Sequence, residues 1–399
     1  MTQASCAPGA DQGALGLRRR MRIAVLNRVF RPTGGGAERY SIALVEQLAA
    51  RHEIHVFAQQ IDHHGPGVSY HKVSTPMTKP RWVNQLWYAL ATGWATRHGF
   101  DVVHSHENTW HAQVQTVHVL PIKYNLLSGW TGWRRALRWL NIVTSPRLLA
   151  YLAMERARFS AKNLCSVVVT SPALRSIVAA SYPACAARLT VMTPGVAIAP
   201  AAPSKAQARQ TLGLPLRARL IGFVGNDYKK KGLDTLLLAL KQLAPDVGLV
   251  VVGDPSHIPA YEPKAAALGL RDRVHFLGHM KDVSLMYRAV DCLAHPTTED
   301  TFAMVVLEAM AHGLPVVVSD ERYCGIAGLL TDGLNALVLS APDQDVELAG
   351  LLRSVMENEE LRRRLSDQAL LFAKEYSWRR IAQAQEDIYQ ACLAPHPQR

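Results

Sequence analysis

No run of eighteen or more apolar residues occurs in the chain, so no segment reads as a membrane-spanning helix. Cysteine is scarce: the six residues Cys6, Cys165, Cys185, Cys292, Cys324 and Cys392 are scattered. No CxxC or Cys/His spacing suggests zinc, and nothing resembles a disulfide framework in a chain this long. Reduced thiols in cytoplasm are the expectation. Acidic residues are in deficit, 32 against 44 lysines and arginines, leaving a net charge of +12. That balance favours an acidic partner: a phosphorylated ligand, nucleic acid or an anionic membrane. Nucleic acid is set aside, because no RNA- or DNA-binding signature is present and the aromatics cluster with apolar residues. The first twenty residues, MTQASCAPGADQGALGLRRR, lack an apolar stretch ahead of their arginines. They do not read as a signal peptide, and a disordered extension, or an upstream start ahead of Met21, is expected.

The composition is otherwise globular, with 49% hydrophobic and 19% charged residues over 399 positions. That length is too great for one ordinary core, and two domains are expected. From Arg22, "RIAVLNRVF" reads as a buried strand and "PTGGGAERYSIALVEQLAAR" as a glycine-rich turn entering a helix. "HEIHVFAQ", "DVVHSHE", "VQTVHVL", "SVVVTS" and "LTVMTPG" are further short strands. Residues 196–219, rich in Ala, Pro and Ser, read as a linker. A second series follows, with strands "LIGFVGND", "GLVVVGD", "RVHFLG", "CLAHP", "PVVVSD" and "ALVL", helices "LDTLLLALKQL" and "DVSLMYRAV", and a helical tail. Alternating strand and helix argues for two doubly wound parallel α/β halves, with a ligand between them at the strands' C-terminal ends.

Three turns carry candidate chemistry. In "VGNDYKKKGLDTLLLAL", Lys229, Lys230 and Lys231 sit between a strand end and a helix start, which suits a diphosphate and equally suits a solvated charge run. In "HPTTEDTFAMVVLEAMAHGLPVVVSD", Glu299 and Asp300 lie in a loop, apolar residues open a helix near Ala303, and Glu308 stands among Val305, Val306, Leu307, Ala309 and Met310. A buried carboxylate needs a partner, from the protein or from a ligand. Glu308 fits a ribose diol or a structural ion pair; Asp300 fits ligand hydroxyls or a helix N-cap. The first-turn amides, over Thr301, Phe302, Ala303 and Met304, would bind phosphate or sugar hydroxyls. In "PTGGGAERY", Gly34, Gly35 and Gly36 permit close backbone approach, or simply a tight turn; the pattern is not GxGxxG. His106 and His118 end strands, where a ligand role competes with a structural one.

Taken together, "GGGAERY", "DVVHSH", "TVH", "VVVTSPAL", "TPGV", "VGNDYKKKGLDTLLLAL", "TEDTFAMVVLEAMAHGLPVVVSD" and "LLTDGLNALVL" resemble, in this order, the family 4 retaining glycosyltransferases, over residues 22–393. The resemblance implies the GT-B fold: two Rossmann-like domains facing a cleft, with a C-terminal helix crossing back. The limits would be 21–197 for the acceptor-side domain, 198–375 for the donor domain and 376–399 for the crossover helix, signalled by "YSW" with Trp378. The family's Glu, seven residues, Glu becomes Asp300 and Glu308, so Asp300 would hold donor-sugar hydroxyls and Glu308 the ribose, with Glu299 a substitute for the shorter first acid. The family's phosphate-binding arginine position is Asn226; Lys231 matches the family lysine and Lys230 supplies a second cation, as in lipopolysaccharide-core glucosyltransferases. Gly35 and Gly36 would approach the phosphates, and His118 the anomeric carbon. A nucleotide sugar, UDP-linked by preference, is then the co-substrate, with no cofactor and no metal. A sugar-nucleotide epimerase and a catalytically silent nucleotide-sugar-binding protein are alternatives.

Seven of the eight tryptophans (Trp82, Trp87, Trp94, Trp110, Trp130, Trp133 and Trp139) fall in one part of the N-terminal half. Trp130 and Trp133 interleave with Arg134, Arg135 and Arg138, as on a helix lying on an anionic membrane, or as a site for a phosphorylated lipid or polysaccharide acceptor; core aromatics with a basic solvated face fit the same pattern. The expected location is the cytoplasmic face of the inner membrane.

Overall fold

Short valine- and isoleucine-rich runs that end in polar residues become parallel strands, buried on both faces as such sheets require. The computed structural model describes residues 19–32, 35–77, 79–161, 163–198 and 203–393. The N-terminal half contributes β1 (Arg22–Leu26), β2 (Val29–Phe30), β3 (Glu53–Ala58), β4 (Gln60–Ile61), β5 (Val68–Lys72), β6 (Val102–Ser105), β7 (Val114–Val117), β8 (Ser166–Val169) and β9 (Leu189–Val191). Seven of these form one parallel sheet in the order β5-β3-β1-β6-β7-β8-β9, and β2 pairs with β4 apart from it. The C-terminal half contributes β10 (Arg219–Val224), β11 (Val247–Val252), β12 (Val274–Gly278), β13 (Cys292–His295), β14 (Val316–Ser319) and β15 (Leu337–Leu339), in the order β12-β11-β10-β13-β14-β15. Helices cover both faces of the second sheet, with Leu236, Leu237 and Leu240 buried on one side and Val306, Leu307 and Met310 on the other. Both sheets reverse direction of strand order beside their first strand, the position at which a cleft opens.

Several expectations need correction. Residues 196–219 are not all linker: Lys205–Thr211 is a helix, closed by a Ser204–Gln207 capping box, and Arg209 is buried in it, bonding the carbonyls of Ala289, Leu216 and Ala218 and the carboxylate of Asp291. Composition hid that helix because Ala, Gln and Arg are common to linkers and helices. The tail is two helices, Glu359–Glu375 and Trp378–Leu393, parted at Tyr376 and Ser377. Cys165 and Cys392 form a disulfide across 227 residues, whereas Cys185, Cys292 and Cys324 are buried thiols. Spacing along the chain carries no signal for a pair that only the fold brings together. The extension was expected over residues 1–20; residues 1–18 lie outside the described residues, as do Gly34 and Cys6, while Arg19 is placed by an ion pair with Asp101 at 3.0 Å.

The helix Trp378–Leu393 leaves the C-terminal half and packs on the helix Gly36–Ala49, burying Ile381, Ala382 and Tyr389 against Ile23, Val25, Tyr40 and Leu44. The two chain crossings run side by side, with the amide of Val196 donating to Tyr376 O at 2.7 Å. The halves are thereby held facing one another.

Candidate active site

Lys231 owes its place to two loops joined at one carbonyl. After β10 the chain turns through Asn226–Lys231, and the amide of Lys230 donates to Asp227 Oδ1 at 2.9 Å. The carbonyl of Lys230 then accepts from Thr298 N at 2.9 Å, Thr298 Oγ1 at 3.0 Å and Thr297 Oγ1 at 3.2 Å, in the loop after β13. Gly232 follows at φ +82°, and a Cβ there would stand 1.9 Å from Pro296 O. Only glycine permits that approach, and it turns the chain into the helix Leu233–Lys241 with Lys231 facing the cleft.

In the second loop Asp300 is nearly saturated. Its Oδ1 accepts from the amides of Ala303 at 2.8 Å and Phe302 at 3.2 Å; its Oδ2 pairs with Lys231 Nζ and lies 3.4 Å from His295 Nε2. Burial pushes the carboxyl up, but His295 and Lys231 outweigh it and hold Asp300 well below the usual carboxylate range. A carboxylate offers about four acceptor directions; the loop's two amides and Lys231 take three of them. Asp300 therefore fills the N-cap role that the sequence offered it and adds an ion pair that helps to place Lys231. The helix begins at Met304, one residue later than expected, because Ala303 adopts φ +68°, the one non-glycine positive φ among the described residues. Such strain gathers at functional sites.

The opposite wall is the start of the helix Gly36–Ala49. A Cβ on Gly36 would be 3.5 Å from Met304 Sδ, so the two helix starts face each other across the halves. His118 lies beside them, just past β7. Thr301 Oγ1 donates to His118 O at 2.7 Å, tying the loop of one half to the backbone of the other. The ring pairs with His106 through Nε2···Nδ1 at 2.9 Å, and burial and nearby Arg158 lower its pKa to about 3. It is neutral at physiological pH. Gly325 completes the junction, since a Cβ there would be 2.0 Å from Thr301 O and 2.8 Å from Ser171 Oγ.

These elements enclose a cavity of about 830 Å³. Of the residues expected in it, Gly35, Gly36, His118, Asn226, Lys230, Lys231, Asp300, Thr301, Phe302, Ala303 and Met304 line it. Two acids do not. Glu299 turns outward to pair with Lys230, both half-exposed. Glu308 lies in an adjoining chamber, with Arg39 Nη1 3.0 Å from Oε1 and Tyr287 Oη donating to Oε2 at 3.0 Å. Burial raises its pKa and Arg39 opposes the rise. Within the protein, Arg39 and Tyr287 are its partners. Trp130, Trp133, Arg134, Arg135 and Arg138 lie away from the cavity, on or just before the helix Gly132–Val143. Arg39, Tyr40, Thr170 and Lys281 line the cavity without having been singled out. Arg39 was signalled by its place one turn into the glycine-led helix. Thr170 was signalled by its place at the end of a strand in register with the one before His118. The hydroxyls of Tyr40 and Thr170 are buried and have no partner. Among the described residues no group of three or more His, Cys, Asp or Glu is arranged to hold a metal, and no helix is long and apolar enough to cross a membrane.

Residues 34–199 match the family described as Glycosyltransferase Family 4, and residues 204–371 match Glycosyl transferases group 1. The chain belongs to the family 4 glycosyltransferases. It is similar to a D-inositol 3-phosphate glycosyltransferase of Xylanimonas cellulosilytica, 30% identical over 335 residues, which are 75% of this chain and 74% of that one. Among solved structures it resembles WaaG, a glycosyltransferase involved in lipopolysaccharide biosynthesis, with TM-score 0.78 and 24% identity over 92% of this chain and 99% of that one. It also resembles Anabaena HepE in complex with UDP and glucose, with TM-score 0.71 and 21% identity over 93% and 100%. The two facing Rossmann-like domains are the GT-B fold that these structures share.

Proposed function

We propose that this glycosyltransferase moves a hexose from a nucleotide sugar, UDP-linked by preference, to an anionic glycan or glycolipid of the cell envelope, with retention and without a metal. The observation that carries the donor half is the Lys231–Asp300 pair beside the helix start at Met304, facing Gly35 and Gly36 across the cavity. Breaking a sugar–phosphate bond builds negative charge on the leaving diphosphate. Lys231, Lys230 and the first-turn amides of two opposed helices are preset to receive it. Asp300 keeps Lys231 aimed. In the proposed step the acceptor oxygen attacks the anomeric carbon on the face the diphosphate leaves, the bond to the phosphate oxygen breaks, and the acceptor proton passes to that oxygen. HepE's complexes with UDP and with UDP-glucose support the choice of nucleotide.

The acceptor half rests on exposed apolar surface. The helix Gly132–Val143 buries only Ile142, and Trp133 is 70% exposed, with Leu137 and Leu140 on the same face. Arg134 lies over Trp133 at 5.6 Å and Arg138 over Trp130 at 5.8 Å. The helix Arg81–Ala95, which also packs on Pro146–Ser160, exposes Trp94 and Leu90. Aromatics beside arginines on one face suit an anionic lipid surface, which would place the enzyme at the cytoplasmic face of the inner membrane.

A thermal-shift panel of UDP-, GDP- and ADP-sugars tests the donor, and transfer of label from the stabilising donor into an anionic glycolipid tests the reaction. Turnover of donor with no acceptor would favour an epimerase, and stabilisation by none of the panel would end this reading. Vesicles containing phosphatidylglycerol should retain the protein at low salt and release it when Arg134, Arg135 and Arg138 become Glu; binding indifferent to both changes removes the membrane role.

A further inference from the structure

The space between the halves is partitioned. The larger part holds Lys231, Gly35 and Gly36; the smaller, about 260 Å³, holds Glu308, Tyr287 and His312. Arg39, Lys281, Val283 and Met304 line both parts, so they stand on the boundary. The Arg39–Glu308 pair spans the two domains, from the helix Gly36–Ala49 to the helix Met304–Ala311. Arg39 is also, among the described residues, the only arginine lining the larger cavity. Asn226, at the end of β10, supplies no charge there. A guanidinium is the side chain best shaped to grip a phosphate through two parallel N–H groups.

We propose that Arg39 changes partner when the donor binds: in the empty cleft it neutralises Glu308, and a nucleoside diphosphate separates the two, its phosphates taking the guanidinium and its ribose diol taking the carboxylate. This rests on the donor reading above and adds a residue to it. The exchange is balanced because neither of these partly exposed charges is left without a partner at its end. Part of a ligand cannot manage this. Uridine offers a diol but strands Arg39, and inorganic pyrophosphate offers charge but strands Glu308. The nucleoside diphosphate satisfies both, which makes Arg39 and Glu308 a two-part test for the joined ligand.

Dissociation constants for UDP, pyrophosphate and uridine, measured by NMR titration on the full chain, decide the matter. Arg39→Met should weaken UDP and pyrophosphate by about tenfold, the scale of one charge-assisted pair, while tightening uridine, because Glu308 is released. Glu308→Gln should do the reverse to the fragments, tightening pyrophosphate and weakening uridine. A packing role would weaken every ligand together, and no role would move none; either result overturns the exchange. Glu308→Gln keeps the shape and the Tyr287 hydrogen bond, so its opposed shifts decide alone if Arg39→Met does not fold. Wild-type protein that binds no nucleoside diphosphate refutes the donor reading and the exchange with it. Wild-type binding without opposed shifts refutes the exchange only.

Discussion

At Asp300, three donors converge on one carboxylate with His295 3.4 Å away, and two of the donors are the backbone amides that shape the strained turn at Ala303. Replacing it by Asn keeps an acceptor for those amides and removes the charge that faces Lys231. Asp300→Asn should therefore keep the turn but lower the melting temperature, because the charge held by Lys231 and His295 is lost, and should lower kcat by about 10- to 100-fold, since Lys231 loses its aim. Lys231→Ala removes the cation itself and should cost about 10²- to 10³-fold in kcat. Turnover assays of both variants with the stabilising donor check this; a wild-type rate in Lys231→Ala would mean that the leaving group departs elsewhere. Asp300→Ala should add a stability loss of about 1 kcal/mol from the missing cap. In the sequence these acids could be located, and the resemblance implied ligand roles for them, but the protein groups beside each could not be read. Glu299, Asp300 and Glu308 differ in what the folded chain sets beside each: a solvated lysine, a buried cap with a lysine and a histidine, and an arginine from the other half. The cap and the histidine are local, but the two lysines and the arginine lie far away along the sequence.

The elements themselves were far more legible, for a physical reason. A strand buried on both faces must be apolar throughout, so "GLVVVGD" and "PVVVSD" could hardly be anything else. The edge strand Val68–Lys72 leaves no such signal because its exposed residues, Ser69, His71 and Lys72, are free to be polar. Turns lie between these cases, because their glycines are visible but the atoms they approach are not. Gly232 is the clearest instance. A methyl group there would meet Pro296 O and would also have to accept φ +82°. Gly232→Ala should destabilise the C-terminal half by ~2–4 kcal/mol through strain and overpacking together. It should also dislodge Lys231, so that donor binding falls even below the melting transition. Urea unfolding and UDP titration on the same variant test the two consequences, and a variant of wild-type stability would show that the Pro296 contact relaxes freely.

Over the whole molecule, the tail helix does what neither half can do alone: it belongs to the last residues of the chain yet completes the first core. Cys392 is bonded to Cys165 beside β8, and Tyr389 Oη is 2.7 Å from His104 Nδ1 beneath the N-terminal sheet. His104 is wholly buried, its Nε2 2.7 Å from Thr116 Oγ1, and burial lowers its pKa to about 3; His106 and His118 next to it are lowered as well, first by burial. The sign of the pH effect follows. Folded His104 takes no proton until the pH nears 3, whereas an unfolded histidine takes one near ~6.5. Between those limits the unfolded chain binds more protons, so stability falls as the pH falls below ~6.5. Each such histidine contributes a slope approaching ~1.4 kcal/mol per pH unit. Seven of the eight tryptophans lie in the N-terminal half, so fluorescence during urea unfolding reports on it. His104→Gln should lower stability at neutral pH, because the Tyr389 and Thr116 bonds are disturbed. It should also flatten the decline between about pH 6 and pH 5 by about one proton's worth. Curves that run parallel for wild type and His104→Gln would mean that His104 is protonated in the folded protein, and that the tail helix docks on a charged ring rather than a neutral one.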